Sequence, residues 1–281
     1  MEQDSLFDLS NWIWSQARTR GFQVILAWAF MVVGPLLVYR DIFFGENLFW
    51  GNGTASLQIF PRFAVDQALI RAGHLPQYWN FGLFTGVPWV AGGNSTQYPV
   101  YVLLLKFLSI RGAHAWYLLL HMYAAIAGFA LLLRREGLGW SPCAIAGLMY
   151  VCAGPIPYLL ITGHYEPFVC VCLWPLLCAF GSRLSESRPS WIAYTFCMWL
   201  CWVSGALDYA ILGIAVSVVF CLRKNANWYT LVSTGLAMAI SSASVADLIW
   251  TRVSILNESE LRFVGESIGV ARPGALFSIL N

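Results

Sequence analysis

Apolar residues run along this chain in long stretches, and charged residues gather at their ends. Seven such stretches stand out: Val24–Tyr39, Ala113–Leu133, Trp140–Thr162, Pro167–Ser182, Trp191–Ser204, Leu207–Leu222 and Trp228–Asp247. Runs of this length with so few charges predict membrane-crossing helices. A further run, Tyr98–Ile110, is interrupted by Lys106 and is too short to span comfortably; it predicts a re-entrant or interfacial segment. The spans Trp191–Ser204 and Leu207–Leu222 are short and predict a tight hairpin with "SGALD" at its tip.

Basic residues orient the set. Arg18 and Arg20 precede the first run, and Arg134 with Arg135, Arg183 with Arg188, and Arg223 with Lys224 mark three later loops. With all four clusters cytoplasmic, as the positive-inside tendency asks, seven spans close consistently. The N-terminus is then inside, and residues 40–97 form a long outer loop. The turn "TGHYEP" (Thr162–Pro167), the hairpin tip and residues 248–281 share that outer face. This divides the chain into a lead over 1–23, a bundle over 24–247 and an extracytoplasmic tail over 248–281.

Composition strengthens this picture. Hydrophobic residues make up 59% of the chain and charged residues 11%, against about a quarter charged in soluble domains. So few charges cannot cover a water-facing surface, which implies that the solvent is mostly lipid. A net charge of +2 without a basic cluster excludes nucleic acid as a partner. The lead has no short apolar core followed by a small-residue cleavage site, so it reads as retained, with Trp12 and Trp14 suited to an interfacial helix. All eight cysteines lie in or beside apolar runs, with no His at ligand spacing, and read as packing residues rather than metal ligands. Three Asn-x-Ser/Thr patterns, at Asn52, Asn94 and Asn257, read as chance occurrences.

One stretch does not fit a span. "GHLPQYWNFGLFTGVPWVAGGNSTQYP", from Gly73 to Pro99, carries five Gly, three Pro and four Tyr or Trp, with no acidic group. Gly and Pro favour tight turns, and Trp and Tyr sit at headgroup depth. The predicted structure is short interfacial helices and turns over the bundle, with Trp79 and Trp89 at the interface. A plain cap touching headgroups has the same composition. A sugar site also uses aromatic faces and amides, here Trp79, Asn80 and Trp89.

The surrounding motifs resemble the YfhO-like bacterial membrane proteins. Gly73, Leu75, Pro76, Trp79 and Asn80, then Gly86 and Pro88, then Tyr98 and Pro99 are similar to that family's first outer loop. "LLLRREGLGW", "GHYEPFVCVCLWPLL", "WVSGALDYAILG" and "RPGALFSILN" follow in the family's order. The resemblance implies an all-α polytopic bundle of the GT-C kind in the bacterial plasma membrane. It also implies a long first outer loop with short interfacial helices that covers a site for a polyprenyl-phosphate sugar donor. Relatives are considered glycosyltransferases acting on cell-envelope glycans.

Two departures matter. Where the family places its outer-loop Asp, this chain has Thr54 with Asn52 nearby, and no carboxylate occurs between Glu46 and Asp66. Relatives also generally continue beyond the point reached at Asn281. Inverting transfer needs a carboxylate to take the acceptor's proton. Asp41 is the leading substitute and Glu46 the second, although Asp41 also suits a plain pair with Arg40. His164 and Glu166 in "GHYEP" suit a donor phosphate or an acceptor, or a solvated turn. Asp208 suits the same cavity or a helix end. Arg62, Arg71 and Arg262 are outer-face cations for a lipid phosphate, or interface anchors. Two functions stay open: a lipid-linked sugar transferase, or a non-catalytic subunit of a larger membrane complex derived from one. The expected partners are membrane lipids and, on the second reading, other membrane subunits. A transporter is weaker, for lack of a repeat and of charges at mid-membrane.

Overall fold

The computed structural model describes residues 21–22, 24–44, 60–74, 79–80, 87–88, 98–184, 186–224, 227–246 and 249–250. Apart from one two-residue antiparallel pair, the described elements are helices. They are α1 (Val24–Val38), α2 (Arg40–Phe44), α3 (Phe60–Arg71), α4 (Pro99–Phe107), α5 (Ile110–Arg135) and α6 (Trp140–Cys152). After these come α7 (Pro155–Thr162), α8 (Tyr165–Gly181), α9 (Arg188–Val203), α10 (Leu207–Lys224) and α11 (Trp228–Ala243). β1 (Trp79–Asn80) pairs with β2 (Val87–Pro88), with Trp79 opposite Pro88.

Two stretches are long and apolar enough to cross a membrane: α5, with 26 residues, and Trp140–Thr162, with 23. Shorter apolar helices are α1 and α8. By contrast α4 has 9 residues. At 1.5 Å per residue it reaches about 14 Å, half of a hydrocarbon core of about 30 Å.

Local chemistry explains where these helices begin and end. Ser109 caps α5 by accepting from the Gly112 amide at 3.2 Å, and Asn227 caps α11 by accepting from the Thr230 amide at 2.8 Å. The stretch Trp140–Thr162 is broken between α6 and α7. Ala153 is extended there and Gly154 has φ +64°, a conformation that side-chain-bearing residues rarely adopt. Pro155 then occupies the first turn of α7, where its missing amide hydrogen costs nothing. At the far end of α7, Gly163 takes the left-handed conformation. The amides of Gly163 and His164 return to the carbonyls of Leu160 and Leu159. That reversal delivers Tyr165 and Glu166 into the first turn of α8.

The core is built on α5 and α8, which pack on each other; α4 and α6 flank α5, and α7, α9 and α10 flank α8. The approach of α5 to α8 is close because Gly128 offers no side chain. A Cβ there would lie 2.6 Å from the backbone nitrogen of Leu176. Small residues at such crossings let backbones pack without a gap. The outward surface is strongly apolar, from Trp28, Val32 and Leu37 on α1 to Trp228, Tyr229 and Leu236 on α11. Continuous apolar surface of this kind marks contact with lipid or with another protein.

Candidate functional site

Helix α3 carries the polar centre of the molecule. Its residues Arg62, Phe63, Asp66, Gln67 and Ile70 are buried, and their spacing puts them on one helical face. That face packs on α4 and the start of α5. The α4 helix ends at Leu108 with carbonyls that lack helical partners. Gln67 supplies them, donating from Nε2 to the carbonyls of Leu105 at 3.0 Å and Leu108 at 2.8 Å. Arg71 donates to Leu108 as well, at 2.9 Å. Side chains of α3 therefore complete the backbone bonding at the end of α4.

One turn before Gln67 lies an ionic cluster. Arg62 donates from Nη1 to Glu166 Oε1 at 2.9 Å, joining α3 to the first turn of α8 across 104 residues of sequence. Its Nε lies 3.8 Å from Asp66 Oδ2, an ion pair rather than a hydrogen bond. Tyr101 of α4 donates its hydroxyl to the same Asp66 oxygen at 2.8 Å, and the Arg62 guanidinium lies 5.8 Å from the Tyr101 ring centre. The Arg62 and Asp66 side chains are 7% and 1% exposed, and Glu166 is 18% exposed. Burial works against the Arg62 charge. Glu166, then Tyr101 and Asp66, more than offset that, and the Arg62 pKa is raised. Burial also lifts the Tyr101 hydroxyl well above its ordinary pKa; Arg62 opposes the shift and Asp66 adds to it. Tyr101 is therefore a donor to Asp66, not an anion.

Aromatic contacts enclose this cluster. Phe63 meets Tyr101 edge-on at 4.9 Å, and His114 lies 5.7 Å from Phe63 and 5.0 Å from Tyr165. Two helical turns further along α5, His121 Nδ1 bonds the Tyr117 carbonyl at 2.5 Å, which places its proton on Nδ1. Its Nε2 then accepts from the Tyr98 hydroxyl at 2.7 Å. Tyr98 is the first residue of the "YP" dipeptide, so that motif ties the start of α4 to α5.

The sequence-derived candidates separate clearly. Arg62 and Glu166 come together in the buried cluster. Asp41 lies in the exposed helix α2, 3.6 Å from Arg40, with side chains 62% and 74% exposed respectively. His164 is exposed at the N-terminal cap of α8, and Asp208 is exposed in the first turn of α10. Trp79 and Asn80 form the short ladder with β2. Glu46, Trp89 and Arg262, like Thr54, lie outside the described residues. Sequence reasoning missed Asp66, Tyr101, His114, Tyr98 and His121 as members of the centre. Signals existed: Arg62 and Asp66 are spaced i, i+4, and His114 and His121 are spaced i, i+7 on one face.

The cysteines lie elsewhere, mostly in α8, α9 and α10. Cys170 contacts Ser204 Oγ at 2.9 Å. Among the described residues no three His, Cys, Asp or Glu side chains gather as metal ligands. No family model matches this chain, and no curated protein or solved structure matches it.

Proposed function

We propose that this chain is a membrane-embedded sugar transferase of the GT-C kind. It takes its sugar from a polyprenyl-phosphate donor and works at the outer face of a bacterial plasma membrane on a cell-envelope acceptor. In this reading the bundle crosses the membrane seven times, with the N-terminus cytoplasmic and residues 40–97 outside. The supporting observation is the 2.9 Å contact of Arg62 with Glu166. Two segments that this topology puts outside, α3 and the "GHYEP" turn that the YfhO-like resemblance includes, meet there on a buried cation and two carboxylates. A lipid-phosphate transferase needs those charges: a guanidinium for the phosphate and a carboxylate for the acceptor's proton. The decisive assay is transfer of labelled sugar from a polyprenyl-phosphate donor by the purified protein in vesicles. Transfer that Arg62→Ala abolishes is the expected result. Absence of transfer from every such donor sinks the proposal.

A second reading has its own observation. The outward face of α11 is strongly apolar, with Trp228 and Tyr229 74% and 77% exposed. That surface suits contact with another membrane protein, as in a non-catalytic subunit. Co-purification of a defined complex in mild detergent, by a protein that transfers nothing, favours this reading instead.

A further inference from the structure

The two carboxylates around Arg62 are held very differently. Asp66 sits on the same helix, is almost fully buried and is bonded to Tyr101 as well. Glu166 comes from another element, is more exposed and follows the Gly163 reversal. A guanidinium fork fits a phosphate as well as it fits a carboxylate. Asp66 is thus the permanent counter-ion, and Glu166 is the partner that a competing anion can replace.

We propose that Glu166 occupies the phosphate position of Arg62 at rest, and that a prenyl-linked phosphate displaces it and so frees it as the general base. This rests on the transferase reading above. Arg62 then holds the donor phosphate while Asp66 and Tyr101 keep the guanidinium in place. The freed Glu166 stays at the N-terminal, positive end of α8. The acceptor hydroxyl oxygen attacks the anomeric carbon and its proton passes to Glu166. The bond from that carbon to the phosphate oxygen breaks, and its electron pair leaves with the prenyl phosphate on Arg62. Donor binding and base activation become one event, so Glu166 is unpaired only when a donor is present.

The exchange predicts a signature that an ordinary structural pair does not give. An internal competitor weakens binding, and removing its charge strengthens binding. Binding of a short-chain prenyl phosphate to the purified full chain in detergent reads this directly, with inorganic phosphate and the corresponding prenyl alcohol as separate probes. Glu166→Gln should bind the prenyl phosphate several-fold tighter than the unaltered protein while transferring no sugar. Arg62→Ala should bind it roughly thirtyfold or more weakly, as when one partner of a buried charge pair is removed. Glu166→Asp keeps a base but shortens its reach to Arg62. It should bind tighter and retain reduced transfer, which separates base chemistry from misfolding in the Gln variant. Competition by inorganic phosphate marks the bare anion as sufficient. Binding of prenyl phosphate without such competition marks the lipid phosphate. Weaker or unchanged binding by both Glu166 variants overturns the exchange, even if sugar transfer by the unaltered protein stands. Undiminished transfer by Glu166→Gln overturns the base role. No binding and no transfer by the unaltered protein removes the transferase reading itself.

Discussion

Two of the arginine–carboxylate pairs among the described residues are physical opposites. Arg40 and Asp41 are sequence neighbours, 3.6 Å apart and mostly exposed. Arg62 and Glu166 lie 104 residues apart in sequence, touch at 2.9 Å and are mostly buried. Water and salt screen the first pair, and such pairs contribute about 0–1 kcal/mol. The second has lost its hydration and depends on its partners, so breaking it leaves an uncompensated buried charge. A carboxylate close to an arginine in sequence is thus weak evidence of a site. One brought to an arginine by the fold, against a desolvation cost, is stronger evidence.

The contrast is sharpest for Arg62→Ala, which removes the cation that Asp66 and Glu166 share. We expect a loss of about 3–5 kcal/mol of stability, read as a large drop in melting temperature in detergent. A melting temperature within error of the unaltered protein would mean that water reaches the cluster freely. Tyr101→Phe comes next. It removes the hydroxyl that Asp66 accepts from and should cost about 1–3 kcal/mol in the same measurement. A double-mutant cycle then compares the pairs directly. Coupling between Arg62 and Glu166 should exceed about 1.5 kcal/mol, and coupling between Arg40 and Asp41 should stay below about 1 kcal/mol and shrink with added salt. Equal couplings would erase the distinction. The smallest effect is expected for Asp41→Asn, with stability changed by less than about 0.5 kcal/mol and sugar transfer retained. Loss of transfer at unchanged stability would restore Asp41 as the base and return Glu166 to a structural role.

Acidity adds a further check on the same cluster. The Arg62 pKa is raised by its neighbours. Its stabilisation is therefore complete below the ordinary arginine pKa and is lost only as pH rises beyond it. Across the neutral range the charge on Arg62 is constant, and pH changes in stability there report on other groups.

Much of the fold is legible along the chain. Apolar runs mark α5 and Trp140–Thr162 because a helix in lipid must be apolar over its whole length. Lys106 and the shortness of Tyr98–Ile110 mark a short run, and α4 there has 9 residues. Arg134 and Arg135 close α5, with Gly137 at positive φ just after it. These are local properties, carried by side-chain chemistry and backbone freedom at neighbouring positions. The break at Ala153–Gly154 was also written locally, in a glycine followed by Pro155 and Pro157, although hydropathy alone reads through it.

What only the tertiary structure decided is which charged groups share one dry space. Arg62 and Glu166 each appeared in the sequence as separate outer-face candidates, with nothing to join them. Asp66 looked like the far edge of a carboxylate-free stretch, and Tyr101 and His114 looked like members of apolar runs. Their grouping depends on α3 folding back over α4 and on the Gly163 reversal turning Glu166 toward it. Charge pairing between distant segments leaves no periodic trace, because its energy comes from desolvation and distance in space. The sequence by itself determined where the chain forms long apolar helices and where it must turn. The packing of α3 against α4, α5 and the start of α8 determined which arginine became the centre.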